Sequence, residues 1–356
     1  MTAGDRNALT DVPGIRVGHA TRIGEGALTG TTVVLVPPGS VCAADVRGGA
    51  PSTRDTAALD PRYGVRHPSA IVLTGGSSYG LSTAHGVLDW LAQQSGEEPL
   101  VPAAALFDLG RGGDFHAHPG PGIGVEAVLA AFSSGEHAAV AQGNVGAGTG
   151  AVNAEMKGGL GTASVVLPDR TVVAALVAMN AHGSSINPSD GLPYGHSAGA
   201  SSRMQGDEIV TWQEFPLTPL GADELLAGRE VLEETVHSRP SRKPMNTVIG
   251  VIATNAALTH AQAHRLAGAA QDGLALAIQP AHCLGDGDTI FAVSTGASLV
   301  SDDSRVDGVL AAATGVTARA LVHAVLAAES VTTPWGHITA YRELYPRALG
   351  VPHRGT

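Results

Sequence analysis

The stretch Asn246-Thr247-Val248-Ile249-Gly250-Val251-Ile252-Ala253-Thr254 joins a polar, basic connector to a run of β-branched and small apolar residues. A run that is apolar at successive positions is typical of a strand buried on both faces of its sheet. We therefore predict a central strand that begins at Thr247. Because such a strand needs a layer on each face, the stretch favours a layered fold of helices and strands.

Thr247 has a second meaning if the chain is cut directly before it. A chain that began at Thr247 would place its hydroxyl beside a free α-amino group, whose pKa in peptides is about 7.7–8.0. One residue would then supply both the nucleophile and the base of a hydrolase. A threonine selected only for its preference for strands is the alternative. Asn246-Thr247 alone does not decide between the two.

Further stretches have the composition of strands and helices. The predicted strands are residues 31–37, 70–74, 163–167, 171–179, 247–254 and 289–294. The predicted helices are residues 81–94, 125–132, 260–278 and 306–328. The glutamate-rich residues 224–234 are predicted to be helical as well, within a connector of residues 212–244 that we expect to be exposed. Thr259 followed by Gln262 is a capping box at the start of one helix. Strands and helices mix along the chain, which predicts an α/β (α+β) fold.

The composition of the 356-residue chain excludes several classes of protein. Hydrophobic residues make up 44% and charged residues 15%, so the chain is not intrinsically disordered. The net charge of −11, with no basic cluster beyond residues 239–243, argues against a nucleic-acid partner. Cys42 and Cys283 are isolated and indicate no disulfide scaffold. Without an apolar signal segment or a run of about 18 apolar residues, we expect a cytoplasmic protein with no membrane partner.

The segment Gly76-Ser77-Ser78-Tyr79-Gly80 lies between a predicted strand and a predicted helix. This context fits the G-x-S-x-G turn of α/β-type serine hydrolases, with Ser78 as the nucleophile and a later histidine as the base. Histidines are frequent downstream, so their presence does not test the idea. A glycine-rich turn is the alternative interpretation, and both stay open.

Two other patterns suggest a cofactor or a metal only weakly. Residues 146–151 resemble a dinucleotide fingerprint, but a poor strand precedes them and no acidic residue follows at the distance that ribose recognition needs. We interpret these glycines as tight packing or a cavity lined by backbone, and expect no cofactor. His116 and His118, like Asp286 and Asp288, share one face of an extended chain. Neither pair has a third ligand at a suitable spacing, so we expect no metal.

Isolated polar residues in this weakly charged chain are candidates for catalysis. Lys157 lies among glycines, either as a solvated loop residue or as a cation for electrostatic catalysis. Asn180 ends a predicted strand, where its amide N–H can stabilise an oxyanion. Asp286 and Asp288 precede the last predicted strand and could hold a free α-ammonium group of Thr247 by charge-assisted hydrogen bonds. An Asp-Gly-Asp turn is the alternative for the two carboxylates.

Taken in order, seven segments resemble the family of L-aminopeptidase/D-Ala-esterase-amidases. That family includes β-peptidyl aminopeptidases and the endo-acting hydrolase of nylon (6-aminohexanoate) oligomers. The segments cover nearly the whole chain and are residues 11–19, 31–35, 45–51, 73–81, 157–164, 246–247 and 286–292. No single segment is decisive, but the ordered set is specific.

The resemblance implies a fold and a set of site residues. Chains of that family cut themselves before a serine or threonine, and the pieces stay together in a four-layer αββα sandwich like that of N-terminal-nucleophile hydrolases. Here it implies one domain made of an α subunit of residues 1–246 and a β subunit of residues 247–356, with Asn246 last in the first piece and Thr247 as the nucleophile. Five other positions match residues that line the catalytic centre of the threonine branch: Tyr79, Lys157, Asn180, Asp286 and Asp288.

From the resemblance we expect a self-processing amide hydrolase, an aminopeptidase or amidase, that acts on a small peptide or amide substrate. The freed α-amine, assisted by Lys157, would accept the Thr247 proton, while Asn180 and Tyr79 stabilise the oxyanion. The two aspartates would orient the ammonium group. We also expect a homo-oligomer, a tetramer by resemblance. Acyl transfer of the ornithine acetyltransferase type, a Ser78 hydrolase and an uncut binding protein are the alternatives.

Overall fold

The computed structural model describes residues 2–64, 66–96, 98–198, 201–205, 208–212, 214–240, 245–298 and 302–350. Its strands, numbered in chain order, are β1 (Arg16–Gly24), β2 (Ala27–Leu35), β3 (Val41–Val46), β4 (Thr53–Arg54), β5 (Ala70–Thr74), β6 (Ala103–Ala105), β7 (Val152–Asn153), β8 (Met156–Lys157), β9 (Gly159–Val166), β10 (Val172–Met179), β11 (Ser201–Gln205), β12 (Glu208–Trp212), β13 (Ile249–Ala256), β14 (Thr289–Ser298), β15 (Val331–Thr333) and β16 (Gly336–Ile338). Its helices are α1 (Ser77–Gly80), α2 (Thr83–Ser95), α3 (Pro121–Ser134), α4 (Ala222–His237), α5 (His260–Ala277), α6 (Asp303–Ala327) and α7 (Tyr341–Leu344).

Two five-stranded sheets form the centre of the described chain. The strand order is β1-β2-β5-β6-β4 in the first sheet and β3-β14-β13-β10-β9 in the second. β13 and β14 pair in parallel, because α5 carries the chain across between them. The other neighbours in the second sheet pair antiparallel. The strand after Thr247 therefore lies in the middle of its sheet, as predicted.

The two sheets pack face to face, and helices cover their outer faces. Between the sheets, Val34 and Ile71 of the first sheet share a buried core with Val251 and Phe291 of the second. The outer face of the second sheet packs against α5 and α6, and that of the first against α2 and α3. The layers follow the order helix, sheet, sheet, helix. This is the predicted αββα sandwich.

The six predicted strands are all present, and β5 has the predicted bounds. β9 begins at Gly159, before its predicted start, in a stretch whose glycines disfavour a strand by composition. Close packing explains them: a Cβ at Gly161 would lie 2.1 Å from the Ala320 carbonyl oxygen of α6. The prediction missed β1 and β3, which are edge strands whose polar residues interrupt the apolar pattern.

The predicted helices are confirmed as α2, α3, α4, α5 and α6. The capping box at α5 is present, because the Gln262 N–H donates to Thr259 Oγ1 at 3.3 Å and the Thr259 N–H donates to Gln262 Oε1 at 2.9 Å. α6 is long and apolar enough to cross a membrane by composition, but 67% of its most apolar window is buried. The burial is that of a core helix.

The connector before Asn246 is exposed in one part and anchored in another. In α4 only Gly228 is buried, as expected of an exposed segment. Glu214, in contrast, lies in a polar cluster where Arg319 donates to it and His323 is hydrogen-bonded to it at 2.8 Å. The prediction of a wholly exposed connector is therefore wrong at its N-terminal end. Residues 241–244, which carry part of the basic stretch, lie outside the described residues.

Candidate active site

The Asn246–Thr247 peptide bond lies in the interior, between the end of β10 and the loop before β14. Asn246 is 4% exposed and Thr247 is 5% exposed. The Thr247 N–H donates to the Asn180 carbonyl oxygen at 2.5 Å, and the Val248 N–H donates to Asp288 Oδ1 at 2.8 Å. β13 begins only at Ile249, later than predicted, because these contacts hold the junction outside the sheet ladder.

Two groups converge on the carbonyl of this peptide bond. The Thr247 hydroxyl donates to the Asn246 carbonyl oxygen in a close contact. The Gly287 N–H donates to the same oxygen at 3.2 Å and to Thr247 Oγ1 at 3.1 Å. A nucleophilic oxygen and a polarising N–H thus meet at one carbonyl. That is the arrangement that acyl transfer requires.

The Asn246 side chain is fixed by backbone acceptors. Its Nδ2 donates to the Ala181 carbonyl oxygen at 2.6 Å and to the Val152 carbonyl oxygen at 3.3 Å. The residue before the nucleophile therefore has a fitted pocket for its side chain, which restricts the rotation of the adjoining peptide.

Asn180 presents an unpaired donor in the same region. Its Oδ1 accepts hydrogen bonds from the Arg111 guanidinium and from the Val152 N–H, the latter at 3.0 Å. Because both partners are donors, they fix which side of the amide faces them. Asn180 Nδ2 is then a buried donor without a hydrogen-bond partner among the described residues. A buried donor of this kind is a candidate for binding an oxyanion.

Lys157 is fully buried, and backbone carbonyls surround its ammonium group. Nζ donates to the carbonyl oxygens of Gly148, Ala151 and Gly158 at 3.1, 3.0 and 2.6 Å. The pKa of Lys157 is lowered to about 7, mainly by burial and also by the charge of nearby Arg111, while Asp108 opposes the shift. A Cβ added at Gly146, Gly148 or Gly150 would lie 2.1–2.2 Å from an atom of another residue, so tight packing, one of the two interpretations, explains these glycines. Within the described chain Lys157 makes no hydrogen bond to Thr247.

The sequence prediction missed the buried pair Asp108 and Arg111. Burial raises the pKa of Asp108 to about 6, while the nearby Thr29 hydroxyl, the hydrogen bond from the Gly76 N–H and the charge of Arg111 oppose the shift. Burial likewise lowers the pKa of Arg111 to about 10, while Asp108 opposes that shift. Arg111 could have been predicted by the criterion used for Lys157, because it too is a charged residue among glycines in a weakly charged chain.

Asp286 and Asp288 hold the loop that carries Gly287. Asp288 Oδ2 accepts from the His282 N–H at 3.2 Å and is hydrogen-bonded to His282 Nδ1 at 2.8 Å. Asp286 accepts from the His182 and Cys283 N–H groups at 3.2 and 3.0 Å. Burial, and then the charge of Asp288, raises the pKa of Asp286. In the uncut chain both aspartates act on the site indirectly, because their carboxylates accept hydrogen bonds from backbone N–H groups.

Tyr79 and Ser78 lie on α1, directly after β5. Tyr79 is 57% exposed, and its ring stacks on His118 with 4.9 Å between the ring centroids. Ser78 Oγ is hydrogen-bonded to Ser52 Oγ at 3.2 Å, and the residue with a positive φ at this turn is Ser77 rather than Ser78. In the described part of the chain neither side chain is hydrogen-bonded to Thr247 or Asn180, and Ser78 has no histidine partner.

A cavity of about 600 Å³ opens directly beside Asn246. Its walls include Arg111, His182 and Trp335 from the sandwich and its loops, together with Arg239 from the connector. Among the described residues, no group of three or more His, Cys, Asp or Glu side chains is arranged to hold a metal ion. The site therefore consists of a buried peptide bond, its polar neighbours and one adjoining cavity.

Comparisons with known proteins agree with this picture. Residues 7–339 match the model of peptidase family S58. An uncharacterized aminopeptidase of Mycobacterium leprae (strain TN) is 41% identical over 377 aligned positions, which cover 98% of this chain and 97% of the relative. A 6-aminohexanoate-oligomer endohydrolase of Kocuria sp. (strain KY2) is 31% identical over 80% of this chain and 74% of its own length.

The fold also matches a solved structure. The L-aminopeptidase D-Ala-esterase/amidase of Ochrobactrum anthropi, described as a variant of the Ntn-hydrolase fold, superposes with a TM-score of 0.67 and 22% identity. The match covers 98% of this chain and 96% of that structure. The chain belongs to peptidase family S58 and is a hydrolase of amide or peptide bonds.

Proposed function

We propose that this member of peptidase family S58 cuts its own Asn246–Thr247 bond and then uses Thr247 as an N-terminal nucleophile for amide hydrolysis. One observation carries the proposal: the buried Thr247 hydroxyl contacts the carbonyl of the preceding residue, and the Gly287 N–H donates to the same carbonyl oxygen at 3.2 Å. An ordinary loop-to-strand junction needs neither contact.

The cutting step begins with attack of Thr247 Oγ on the Asn246 carbonyl carbon. The C–N bond then breaks, the Thr247 nitrogen takes up the hydroxyl proton, and an ester joins Asn246 to Thr247 Oγ. Water hydrolyses this ester and leaves a carboxylate on Asn246 and a free amine and hydroxyl on Thr247. The Gly287 N–H stabilises the negative charge that develops on the carbonyl oxygen.

Hydrolysis of a substrate repeats the chemistry with the free amine as the base. The α-amine of Thr247 takes the hydroxyl proton as Oγ attacks the substrate carbonyl, and the proton then passes to the leaving amine. Asn180 Nδ2, the unpaired buried donor, binds the oxyanion. The acyl group remains on Thr247 as an ester until water removes it.

Lys157 and the two aspartates act by position and charge. A neutral Lys157 has two N–H groups for its three carbonyl acceptors and a lone pair that can accept a proton from the α-ammonium group. Asp288 fixes the backbone at Val248, directly after the nucleophile. Asp286 accepts hydrogen bonds from the His182 and Cys283 N–H groups and so holds the loop that carries Gly287. Tyr79 stays in the proposal as a second donor to the oxyanion.

Denaturing electrophoresis and mass spectrometry test the proposal. The wild-type chain should yield two pieces, residues 1–246 and 247–356, whereas Thr247→Ala should stay intact. Ser78→Ala is the matched control and should cut and hydrolyse like the wild type. An intact wild-type chain with full amidase activity would contradict the proposal. Loss of activity in Ser78→Ala alone would instead support the serine-hydrolase alternative.

The relatives suggest the substrate class and the assembly. Names such as aminopeptidase and 6-aminohexanoate-oligomer endohydrolase point to short peptides or aminoacyl amides as substrates for this chain. Release of free acid from such an amide separates hydrolysis from acyl transfer, which would require an added amine acceptor. We extend the proposal to a homo-oligomer, which sedimentation of the purified protein would test.

A further inference from the structure

Arg239, just after α4, occupies a site that is built for a cation. Its guanidinium carbon lies 5.2 Å from the centre of the Trp335 ring. Nε and Nη2 both donate to the His337 carbonyl oxygen, at 3.1 and 2.9 Å, and Nη1 donates to the Glu155 carbonyl oxygen at 3.0 Å. An aromatic face and two carbonyl acceptors are groups that bind a guanidinium.

This cation site belongs to the same cavity as the peptide bond that is proposed to be cut. Arg239, Trp335 and Glu155 line the cavity of about 600 Å³ that borders Asn246. Asn246, whose carbonyl Thr247 contacts, is therefore at one part of the cavity wall, and the aromatic cation site is at another. A substrate whose acyl group replaced Asn246 would extend into the same space.

The segment that carries Arg239 is held less firmly than the sandwich: partly buried Leu225 and Leu232 pack against the core, and Glu224 pairs with Arg347. α4 buries only Gly228, and its apolar side chains Leu226 and Val231 are 57% and 44% exposed. The Trp335 site, by contrast, stands on β16 and the loop before it, and Ile338 at the end of β16 is fully buried. The elements that form the cation site are thus more firmly anchored in the fold than the segment that carries Arg239.

We propose that Trp335 with the His337 and Glu155 carbonyls is a substrate subsite for a guanidinium group, and that Arg239 fills it as an internal mimic in the uncut chain. The inference rests on the proposed function for the release of Arg239 after cutting. The Glu155 carboxylate, which is exposed at the cavity wall, adds a negative charge that favours a cationic ligand. Arginyl amides are then preferred substrates, and the connector is self-inhibitory until the bond is cut.

A binding experiment tests the subsite without any hydrolysis. In the uncut Thr247→Ala chain, the further change Arg239→Ala should empty the subsite. Arginine amide should then bind about tenfold more tightly than to Thr247→Ala alone, as measured by titration calorimetry. Lysine amide should bind more weakly, and uncharged norleucine amide weakest. Equal binding of all three amides, or equal binding with and without Arg239, would overturn the proposal.

Two controls separate the subsite from general effects. Arg229→Ala, added to Thr247→Ala, removes an exposed arginine of α4, the helix before Arg239, and should leave arginine amide binding as weak as in Thr247→Ala. Trp335→Ala, added to the opened chain, should abolish the preference for arginine amide. Trp335→Phe keeps an aromatic face and should retain part of it. A preference that survives Trp335→Ala in a folded chain would contradict the assignment.

Hydrolysis by the wild-type protein gives a second readout. The ratio of kcat/KM for arginyl over norleucyl 4-nitroanilide should exceed one and fall about tenfold in Trp335→Ala. If the wild type hydrolyses neither compound, the proposed function fails while the binding experiment still decides the subsite. If it hydrolyses both equally, the subsite proposal fails while the proposed function stands.

Discussion

The two sides of the Asn246–Thr247 bond are built in opposite ways. On the C-terminal side, β13 lies in the middle of a sheet, with Ile249 and Ile252 fully buried between layers. On the N-terminal side, α4 buries a single glycine, partly buried Leu225 and Leu232 pack against the core, and Arg239 ties the end of the helix to the sandwich. The nucleophile and its hydrogen-bond donors require a rigid frame, whereas the segment that must move away after cutting requires fewer buried contacts.

The largest loss of activity should come from substitution of Asn180, which belongs to the rigid frame around the nucleophile. Asn180→Asp keeps an oxygen for Arg111 and the Val152 N–H but replaces the unpaired Nδ2 donor by an acceptor. We expect hydrolysis of an amide substrate to slow by about 10²–10³-fold, the usual cost of one oxyanion donor. Steady-state kinetics of the cut protein measure it, and Asn180→Ala should be at least as slow. Near-normal rates would remove Asn180 from the oxyanion site.

A smaller loss should follow from disturbing the Gly287 loop. A Cβ at Gly287 would lie 2.8 Å from the Ala50 carbonyl oxygen and 2.9 Å from Thr247 Oγ1, so the loop must shift. We expect Gly287→Ala to slow the cutting step by roughly 10²-fold, because a displaced N–H no longer faces the carbonyl. The rate is followed by quenched samples on denaturing gels.

Gly308→Ala is the control for that experiment. Gly308 lies in α6, where an added Cβ meets no atom within 4 Å. The substitution should leave cutting unchanged and stabilise the helix by about 0.5–1 kcal/mol. If both glycine variants cut at the wild-type rate, the Gly287 N–H is not the donor at the scissile carbonyl.

The pH dependence of hydrolysis tests the role of Lys157. Burial lowers its pKa from 10.5 to about 7, so its neutral form is available above that pH. We expect kcat/KM to rise as pH increases through about 7, and the rise in Lys157→Met to move to the range of the Thr247 α-amine, whose pKa in peptides is about 7.7–8.0. An unchanged profile in Lys157→Met would exclude Lys157 as the group that titrates.

The same shift affects stability with a definite sign. Because the folded pKa lies below the unfolded one, the unfolded chain binds more protons between pH 7 and 10.5, so stability rises with pH across that window. Below pH 7 the full cost of a buried ammonium is present. Urea unfolding of the uncut Thr247→Ala chain across this range should show the rise, and the added Lys157→Met should remove it.

Sequence reasoning reached most of the sandwich and the junction, for identifiable reasons. Strands such as β10 and β13 are apolar on both faces, so composition alone reveals them. The edge strands β1 and β3 and the glycine-rich start of β9 carry no such signal. At the site, Asn180 and Lys157 were found because they are isolated polar residues in apolar sequence.

What sequence could not supply was contact through the main chain. The Gly287 N–H, the carbonyls around Lys157 and the His337 carbonyl under Arg239 are backbone groups, and backbone groups leave no residue-type signature. Arg111 was missed although it shares the signal of Lys157. Tyr79 was included by resemblance, its ring stacks on His118, and its role at the oxyanion stays a prediction. Only the three-dimensional structure shows which groups these residues contact.

The smallest effect should come from the exposed side of the bond. Leu226→Ala removes a side chain of α4 that is 57% exposed, whereas Ile252→Ala empties a fully buried position in β13. We expect the first to change the free energy of unfolding by less than about 0.5 kcal/mol and the second to lower it by about 2–5 kcal/mol. Urea unfolding of the uncut Thr247→Ala chain measures both. A large loss in Leu226→Ala would show that α4 is bound as firmly as the sandwich, and the release of Arg239 after cutting would then require another cause.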